Sequence, residues 1–303
     1  MDFDFAIVLV SLVAICGALW LLDALLIKKS RVAAIEDYKR TQAKSRSDEE
    51  VAAAIEELST EPLVIEYAKS FFPVLVIVLI LRSFLMEPFQ IPTGSMIPTL
   101  EVGDFILVNK YAYGVRLPII GTKIVEVDDP ERGEIMVFIP PHENKYYIKR
   151  VIGLPGDTVR YEDKNLYING ELIGKEYVEP ITVDTSIGDL AGALYTETIN
   201  GVEHATQHID TVGRRRARTT WVIPNGHYFM MGDNRDNSED SRYWGFLPYE
   251  LIKGKATIVY MSWAPDPDAP EYRSLASIPK IVFYNLFHLP GRVRWSRIGT
   301  LVR

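Results

Sequence analysis

The chain has 303 residues, 48% of them apolar, and a formal net charge of −7. That is enough for one sizeable folded domain plus membrane segments, and it excludes the disordered and fibrous classes. The acidic balance argues against a nucleic-acid partner, since the one basic run, Arg214-Arg215-Arg216 with Arg218, lacks interleaved aromatics and reads as a solvated turn between strands.

Phe5 to Leu22 carry no charge, close to the ~20 helical residues that cross a bilayer core. The start Met1-Asp2-Phe3-Asp4 lacks a basic n-region, and the segment ends at Lys28-Lys29 without a small-residue cleavage site. Residues 1–27 are therefore read as a retained transmembrane helix. The only cysteine, Cys16, lies within it as a packing residue, which excludes an internal disulfide and a cysteine-based metal site. Lys28, Lys29, Arg31, Lys39, Arg40, Lys44 and Arg46 crowd the next stretch, so residues 28–69 are expected to be a cytoplasmic connector, helical or partly disordered. A second apolar run, residues 70–81, gains spanning length from Ser83-Phe84-Leu85-Met86 if Arg82 snorkels. Residues 70–87 are read as a second transmembrane helix, and two crossings place residues 88–303 on the outer face.

Past Pro88 the hydrophobic period becomes that of short strands, at residues 134–139, 146–154, 158–161 and 257–263. Asn169-Gly170 between two short apolar runs predicts a two-residue hairpin turn. The external part is expected to be mainly antiparallel β, with the less regular, more polar residues 174–220 forming an inserted subdomain. Leu275-Ala276, residues 281–284 and Leu286-Phe287, with Arg292, Arg294 and Arg297, suit either a rest on lipid headgroups or core strands with a solvated basic tail.

Thr93-Gly94-Ser95-Met96 follows Glu87-Pro88-Phe89-Gln90-Ile91-Pro92, which puts two hydroxyls around a glycine where the chain leaves the second span. Alone, such a triplet is the composition of an ordinary turn. A serine nucleophile needs a base, yet His142, His204, His208, His227 and His288 stand in no catalytic setting and there is no Gly-x-Ser-x-Gly elbow. A lysine serves if it loses its proton near pH 8, about 2 pH units below its ordinary pKa, at a cost to the ammonium form of about 3 kcal/mol. Lys149 is the candidate, because residues 146–152 form an apolar strand in which desolvation depresses its pKa. Alternation puts it on one face with Tyr147 and Val151, and Arg150, which does not deprotonate, on the other. A solvated edge-strand lysine has the same spacing. The stretch Gly232 to Gly245, dense in Asp, Asn, Arg and Ser, suits a tightly hydrogen-bonded loop. It is not a calcium loop, because Arg235 occupies a ligand position and Ser238 stands where the turn glycine belongs.

The runs Gly94-Ser95-Met96-x-Pro98-Thr99-Leu100, Gly103-Asp104, Lys149-Arg150-Val151-x-Gly153-x-Pro155-Gly156-Asp157 and Gly232-Asp233-Asn234-Arg235-Asp236-Asn237-Ser238 resemble, in order, the sequence boxes of type I signal peptidases. The resemblance covers roughly residues 71–161 and 221–263, with residues 294–299 also similar, and does not extend to residues 174–220. It implies that Ser95 attacks the scissile carbonyl, that Lys149 takes its proton, and that Ser238 orients Lys149 by a hydrogen bond. It implies an oxyanion held by the Ser95 N–H and the Thr93 hydroxyl, each donor worth roughly 3–4 kcal/mol. Asp233, Asp240 and Arg242 look like the family's supporting charge network. Phe89, Ile91, Pro92, Met96, Leu100, Tyr147 and Ile148 would line shallow pockets that select Ala-x-Ala-like sequences.

The same resemblance implies a membrane-bound endopeptidase that removes signal peptides from exported preproteins. Its setting would be the bacterial inner membrane, with a periplasmic catalytic domain near the export machinery. Nucleophile and base need no metal, so no cofactor is expected. Three positions depart from the pattern: Thr93 stands where well-known bacterial members have Ser, Glu239 where a small residue is common, and the external domain lacks a cysteine pair. Thr93 keeps the hydroxyl, while Glu239 would raise the lysine pKa if it faces the site.

Two other classes compete. The self-cleaving Ser-Lys repressors of the DNA-damage response share a related β fold but need a DNA-binding module where this chain has apolar segments. A non-catalytic, membrane-tethered β scaffold would use His204 and His208 as a metal clip. Without an evident third ligand, that pair is expected to be ordinary surface residues.

Overall fold

The computed structural model describes residues 5–42, 46–116, 123–125, 127–185, 187–210, 219–270 and 277–303. The Met1–Asp4 start, Lys44, the Arg214–Arg218 run and Leu275-Ala276 lie outside the described residues. The chain divides into two compact units, Met1–Ser83 and Phe84–Arg303.

The first unit is helical. The uncharged aliphatic run forms α1 (Phe5–Leu22), which passes through a π turn at Asp23–Ile27 into α2 (Lys28–Thr41). α3 (Asp48–Ser59) starts at a capping box, in which Ser47 Oγ accepts from the Glu50 N–H and the Glu50 carboxylate accepts from the Ser47 N–H. α4 (Leu63–Ile80) begins well before residue 70, because Glu66 and Lys69 interrupt the apolar run without breaking the helix. It packs on α1, where Trp20 meets Phe72 edge-on at 5.3 Å. Asp23 is buried, and its carboxylate bonds Arg31 and Lys69 at 2.6 Å each. Thus a carboxylate at the end of an apolar helix is balanced by cations from α2 and α4. Two helices, Ile7–Thr41 and Leu63–Ile80, are long and apolar enough to cross a membrane.

The second unit is mainly antiparallel β. Its first strands are β1 (Met86–Gln90), β2 (Asp104–Asn109), β3 (Val115–Arg116), β4 (Lys123–Val125), β5 (Ile135–Phe138), β6 (Tyr147–Gly153), β7 (Thr158–Glu162), β8 (Asn165–Ile168) and β9 (Glu171–Leu172). Then come β10 (Lys175–Thr185), β11 (Gly188–Ile199), β12 (Val202–Ile209), β13 (Thr220–Val222) and β14 (His227–Met231). The single-turn helix α5 (Ser241–Trp244), β15 (Leu247–Pro248), β16 (Ile252–Ser262) and α6 (Ile278–Arg292) complete the unit. Seven strands make the principal sheet, in the order β1-β2-β16-β5-β6-β14-β15. A smaller sheet runs β13-β7-β8-β9, and β10-β11-β12 pair as a meander. Asn169 and Gly170, with φ of 52° and 87°, turn β8 into β9 as a two-residue hairpin requires.

Two expectations are corrected here. The described residues between 174 and 210 are not irregular: most of them form three long paired strands, with one register shift between Tyr177 and Glu179. β10 is exposed along most of its length, so it has no buried apolar face to betray it in the sequence. Residues 278–292 form a helix rather than strands.

The core of the principal sheet places the site. Ile106, Val108, Ile135, Val137, Val259 and Ile148 pack with Ile91, Met96 and Leu100, which come from the segment after β1. A second core joins Ile152 and Phe229 of the principal sheet to Val159 and Leu166 of the smaller one.

Candidate active site

β1 leads into a loop pinned at both ends. The Ile91 N–H bonds Asp104 O at 2.8 Å and the Gly103 N–H bonds Ile91 O at 2.9 Å. Gly103 is required, since its φ is +90° and a Cβ there would stand 2.1 Å from Trp263 O. Met96 and Leu100 sink into the core with no exposed surface, which fixes the 3-10 turn Gly94–Met96 and leaves Ser95 partly exposed at its crest.

Lys149 comes up from β6, between β5 and β14. Its Nζ lies 2.6 Å from Ser95 Oγ and donates to Ile148 O at 2.8 Å. The side chain is 3% exposed, and this burial pushes its pKa down to about 8, against the opposing pull of Asp240, Asp233 and Glu239. Glu239 is largely exposed, its carboxylate 3.6 Å from His142 Nε2, and its effect on Lys149 ranks behind the two buried aspartates. Near pH 8 a good fraction of the amine is therefore neutral and close enough to take the hydroxyl proton.

The 232–245 loop closes around this pair. A Cβ on Gly232 would stand 2.3 Å from Ser238 Oγ and 2.4 Å from Ser95 O, so only glycine lets the three segments meet. Asp233 receives Arg150 in a two-pronged pair at 2.9 and 2.7 Å, and the Thr99 hydroxyl donates to the same carboxylate at 2.5 Å. Asp240 and Arg242 form a second such pair, both bonds 2.7 Å, and Asp240 also accepts from the Gly232 N–H. Asp233 and Asp240 are fully buried, yet the guanidinium groups hold both well below the ordinary carboxylate range and keep them charged.

Residues 64–263 match the family described as signal peptidase, peptidase S26. The chain belongs to this family. It is 52% identical to the signal peptidase I of Pseudomonas aeruginosa over 88% of this chain and 95% of that protein. Identity to the signal peptidase I of Pseudomonas fluorescens is 51%, over 99% of this chain and 100% of the relative. A crystal structure of a signal peptidase I from Enterococcus faecalis V583 is 29% identical and covers 43% of this chain and 98% of its own, with a TM-score of 0.28. As a member of the signal peptidase family, the chain is a serine endopeptidase.

The structure brings some of the candidate residues of this signal peptidase family member together and leaves others apart. Ser95, Lys149, Asp233, Asp240 and Arg242 gather in one place. Thr93 is extended and exposed next to the turn. Phe89 packs on the core and meets Tyr146 at 5.0 Å, while Pro92 is exposed. Tyr147 is half-buried, its hydroxyl bonded to Glu143 at 2.8 Å and its ring 5.4 Å from Lys149 Nζ. Ile91, Ile148, Met96 and Leu100 are buried, so in this structure they form the floor under the site rather than open pocket walls. Ser238 is corrected as well: its buried Oγ has no hydrogen-bond partner among the described residues, because it lies over Gly232 while Lys149 bonds Ser95 and Ile148. His204 and His208 are not surface residues but 6% and 2% exposed, packed near Glu197 and Asp236. Arg292, Arg294 and Arg297 are held by Asp266, Glu101 and Asp104 and do not form a solvated tail.

Three supporting groups escape sequence reasoning. Asn234 bonds the turn of Ser95, and Glu197 pairs with Arg235 at 2.9 and 2.5 Å. Arg297 anchors the loop after Ser95 by donating to Thr99 O at 3.0 Å. Asn234 lies inside a motif and could have been singled out. Glu197 carries no signal, being one carboxylate on a polar strand far from its partner in sequence.

Proposed function

We propose that Ser95 is the nucleophile and Lys149 the general base with which this peptidase removes signal peptides. The observation that carries the reading is the 2.6 Å contact between Ser95 Oγ and a buried lysine whose pKa is pushed down to about 8. Neutral Lys149 takes the hydroxyl proton as Oγ adds to the scissile carbonyl. The oxyanion is received by the Ser95 N–H and the Thr93 hydroxyl. The ammonium then protonates the leaving amine as the C–N bond breaks, which releases the mature protein and leaves the signal peptide as an ester on Ser95. Lys149 next deprotonates a water, whose attack frees the carboxylic acid and restores the serine.

The substrate is the signal peptide of an exported preprotein, cut after small side chains that fit beside Phe89, Pro92 and Tyr147. The two long apolar helices support a multi-pass anchor in a bacterial cytoplasmic membrane. The cations after α1 support a cytoplasmic connector and an outward catalytic domain, close to the export machinery. A signal peptide keeps its apolar segment in the bilayer, so a membrane-held protease meets the cleavage site as it emerges.

Cleavage of a full-length preprotein by wild type, Ser95→Ala, Lys149→Ala and Lys149→Arg tests the assignment. The wild type alone is expected to release mature protein. Activity in Lys149→Ala would remove the lysine from the base role, and protection of the β unit from external protease in intact spheroplasts would overturn the topology.

A further inference from the structure

α6 is built inside out for a helix on the surface of a water-soluble domain. Val282, Phe283, Leu286 and Phe287 are each 59–69% exposed, and Ile278 on the same side is 41% exposed. At 100° per residue these five side chains fill about 180° of arc, within which there is no charged residue. The opposite side carries the polar groups and spends them on attachment. The Tyr284 hydroxyl donates to Asp266 at 2.8 Å, His288 stacks on Tyr284 at 4.0 Å, and Arg292 Nε donates to Ala264 O at 3.0 Å. A helix that turns its polar side to its own domain and its aromatic and aliphatic side outward is made for an apolar neighbour.

Charge and residue type indicate which neighbour. The net charge of the chain is −7, yet from Tyr272 to Arg303 there is no Asp or Glu, while Lys280 stands at the edge of the apolar arc. There its ammonium can reach headgroups while its stem lies along the apolar side. Trp295, 72% exposed just beyond the helix, is the residue type that settles at a lipid–water boundary. α6 hangs from the end of β16 through the Trp263–Val293 bridge; that end pairs with Asp104 and Phe105 of β2, and Phe105 pairs with Gln90 at the far end of β1, the strand that starts a few residues after α4. We propose that the outward face of α6 lies in the membrane interface, with lipid acyl chains as its partner and anionic headgroups beside Lys280. This gives the catalytic unit a contact with the bilayer besides its tether, and it rests on the reading that α1 and α4 span that bilayer.

The test uses the full chain in vesicles of phosphatidylcholine and phosphatidylglycerol, with Cys16→Ser as background. Single cysteines at Phe283, at Ile187 on the β10–β11 turn and at Ile15 in α1 carry a polarity-sensitive fluorophore. The Phe283 probe is expected to be quenched by spin-labelled acyl chains and shielded from iodide, and the Ile187 probe to show the reverse. In addition, Phe283→Glu with Leu286→Glu is expected to slow preprotein cleavage in vesicles several-fold and leave cleavage of a short soluble peptide unchanged. If iodide reaches Phe283 as readily as Ile187, the face is in water and the proposal fails. Shielding from both quenchers means that protein covers the face, a second copy or the apolar part of a substrate, and the proposal fails equally. If the Ile15 probe also escapes the lipid quencher, the spanning reading itself is wrong and this inference falls with it.

Discussion

Asn234 closes two hydrogen bonds onto the turn that carries Ser95, its backbone N–H to Ser95 O at 3.1 Å and its side-chain amide to Gly94 O at 3.0 Å. The turn is thereby held from the loop side as well as from the core. Asn234→Ala leaves the Gly94 carbonyl without that donor, at about 1–2 kcal/mol. A fall of about tenfold in kcat with little change in KM is expected. A rise in KM at constant kcat would instead assign Asn234 to substrate binding.

The base sets the pH profile. With Lys149 pushed down to about 8, kcat/KM is expected to climb through that pH, with about one molecule in ten active at pH 7. The Glu239 carboxylate raises the lysine pKa, so Glu239→Gln is expected to move the rising limb to lower pH. An unmoved limb would show that Glu239 does not act on the base.

The same lysine costs stability. Its pKa is lowered in the folded state from an ordinary 10.5, so the folded chain binds fewer protons between about 8 and 10.5. The cost is fully present below about pH 8 and fades as pH rises to 10.5; at 1.36 kcal/mol per pH unit it is about 3 kcal/mol. Lys149→Met is therefore expected to raise Tm in detergent at pH 7, with the gain shrinking toward pH 10. A variant less stable than wild type at pH 7 would contradict this.

Arg150 and Asp233 are both fully buried, and each is the other's main counter-charge. Asp233→Leu strands the guanidinium and is expected to cost about 3–5 kcal/mol, whereas Arg150→Met with Asp233→Leu recovers most of that loss. Denaturant titrations of the four proteins in the cycle measure it, and additive losses would deny the coupling.

Gly232→Ala is expected to abolish cleavage, because the new methyl would stand 2.4 Å from Ser95 O. Pairing it with Ser238→Gly relieves only the clash with the hydroxyl. Restored activity in that double variant would shift the cause from the Ser95 backbone to Ser238.

The residues that gather around Lys149 are legible as candidates because they lie in short runs. Asp233, Asp240 and Arg242 sit in a dense polar run whose residue types announce hydrogen bonding, whereas Ser95 and Lys149 are singled out only by the ordered runs that resemble a known family. β6 is legible too, since an apolar strand interrupted by two cations is an unusual pattern with few physical explanations. What stays hidden depends on long-range partners. Glu197 gains meaning only when β11 meets Arg235, and Met96 and Leu100 read equally well as pocket walls or as floor until their burial is known. The helical start of α4 is masked by Glu66 and Lys69, charges that hydropathy penalises but that Lys69 offsets by pairing with Asp23.

The Gln207 N–H donates to Asp233 O and Gln207 O accepts the Arg235 N–H, both at 3.0 Å, so the loop that encloses the base is an extra rung on the edge of β12. Parity then matters at the Asn200-Gly201 turn between β11 and β12. One residue inserted there would invert the strand, exchanging the buried face of His204, Thr206 and His208 for that of Glu203, Ala205, Gln207 and Ile209. A length change at the rim of the protein, touching no catalytic atom, would thus unseat the loop around Lys149.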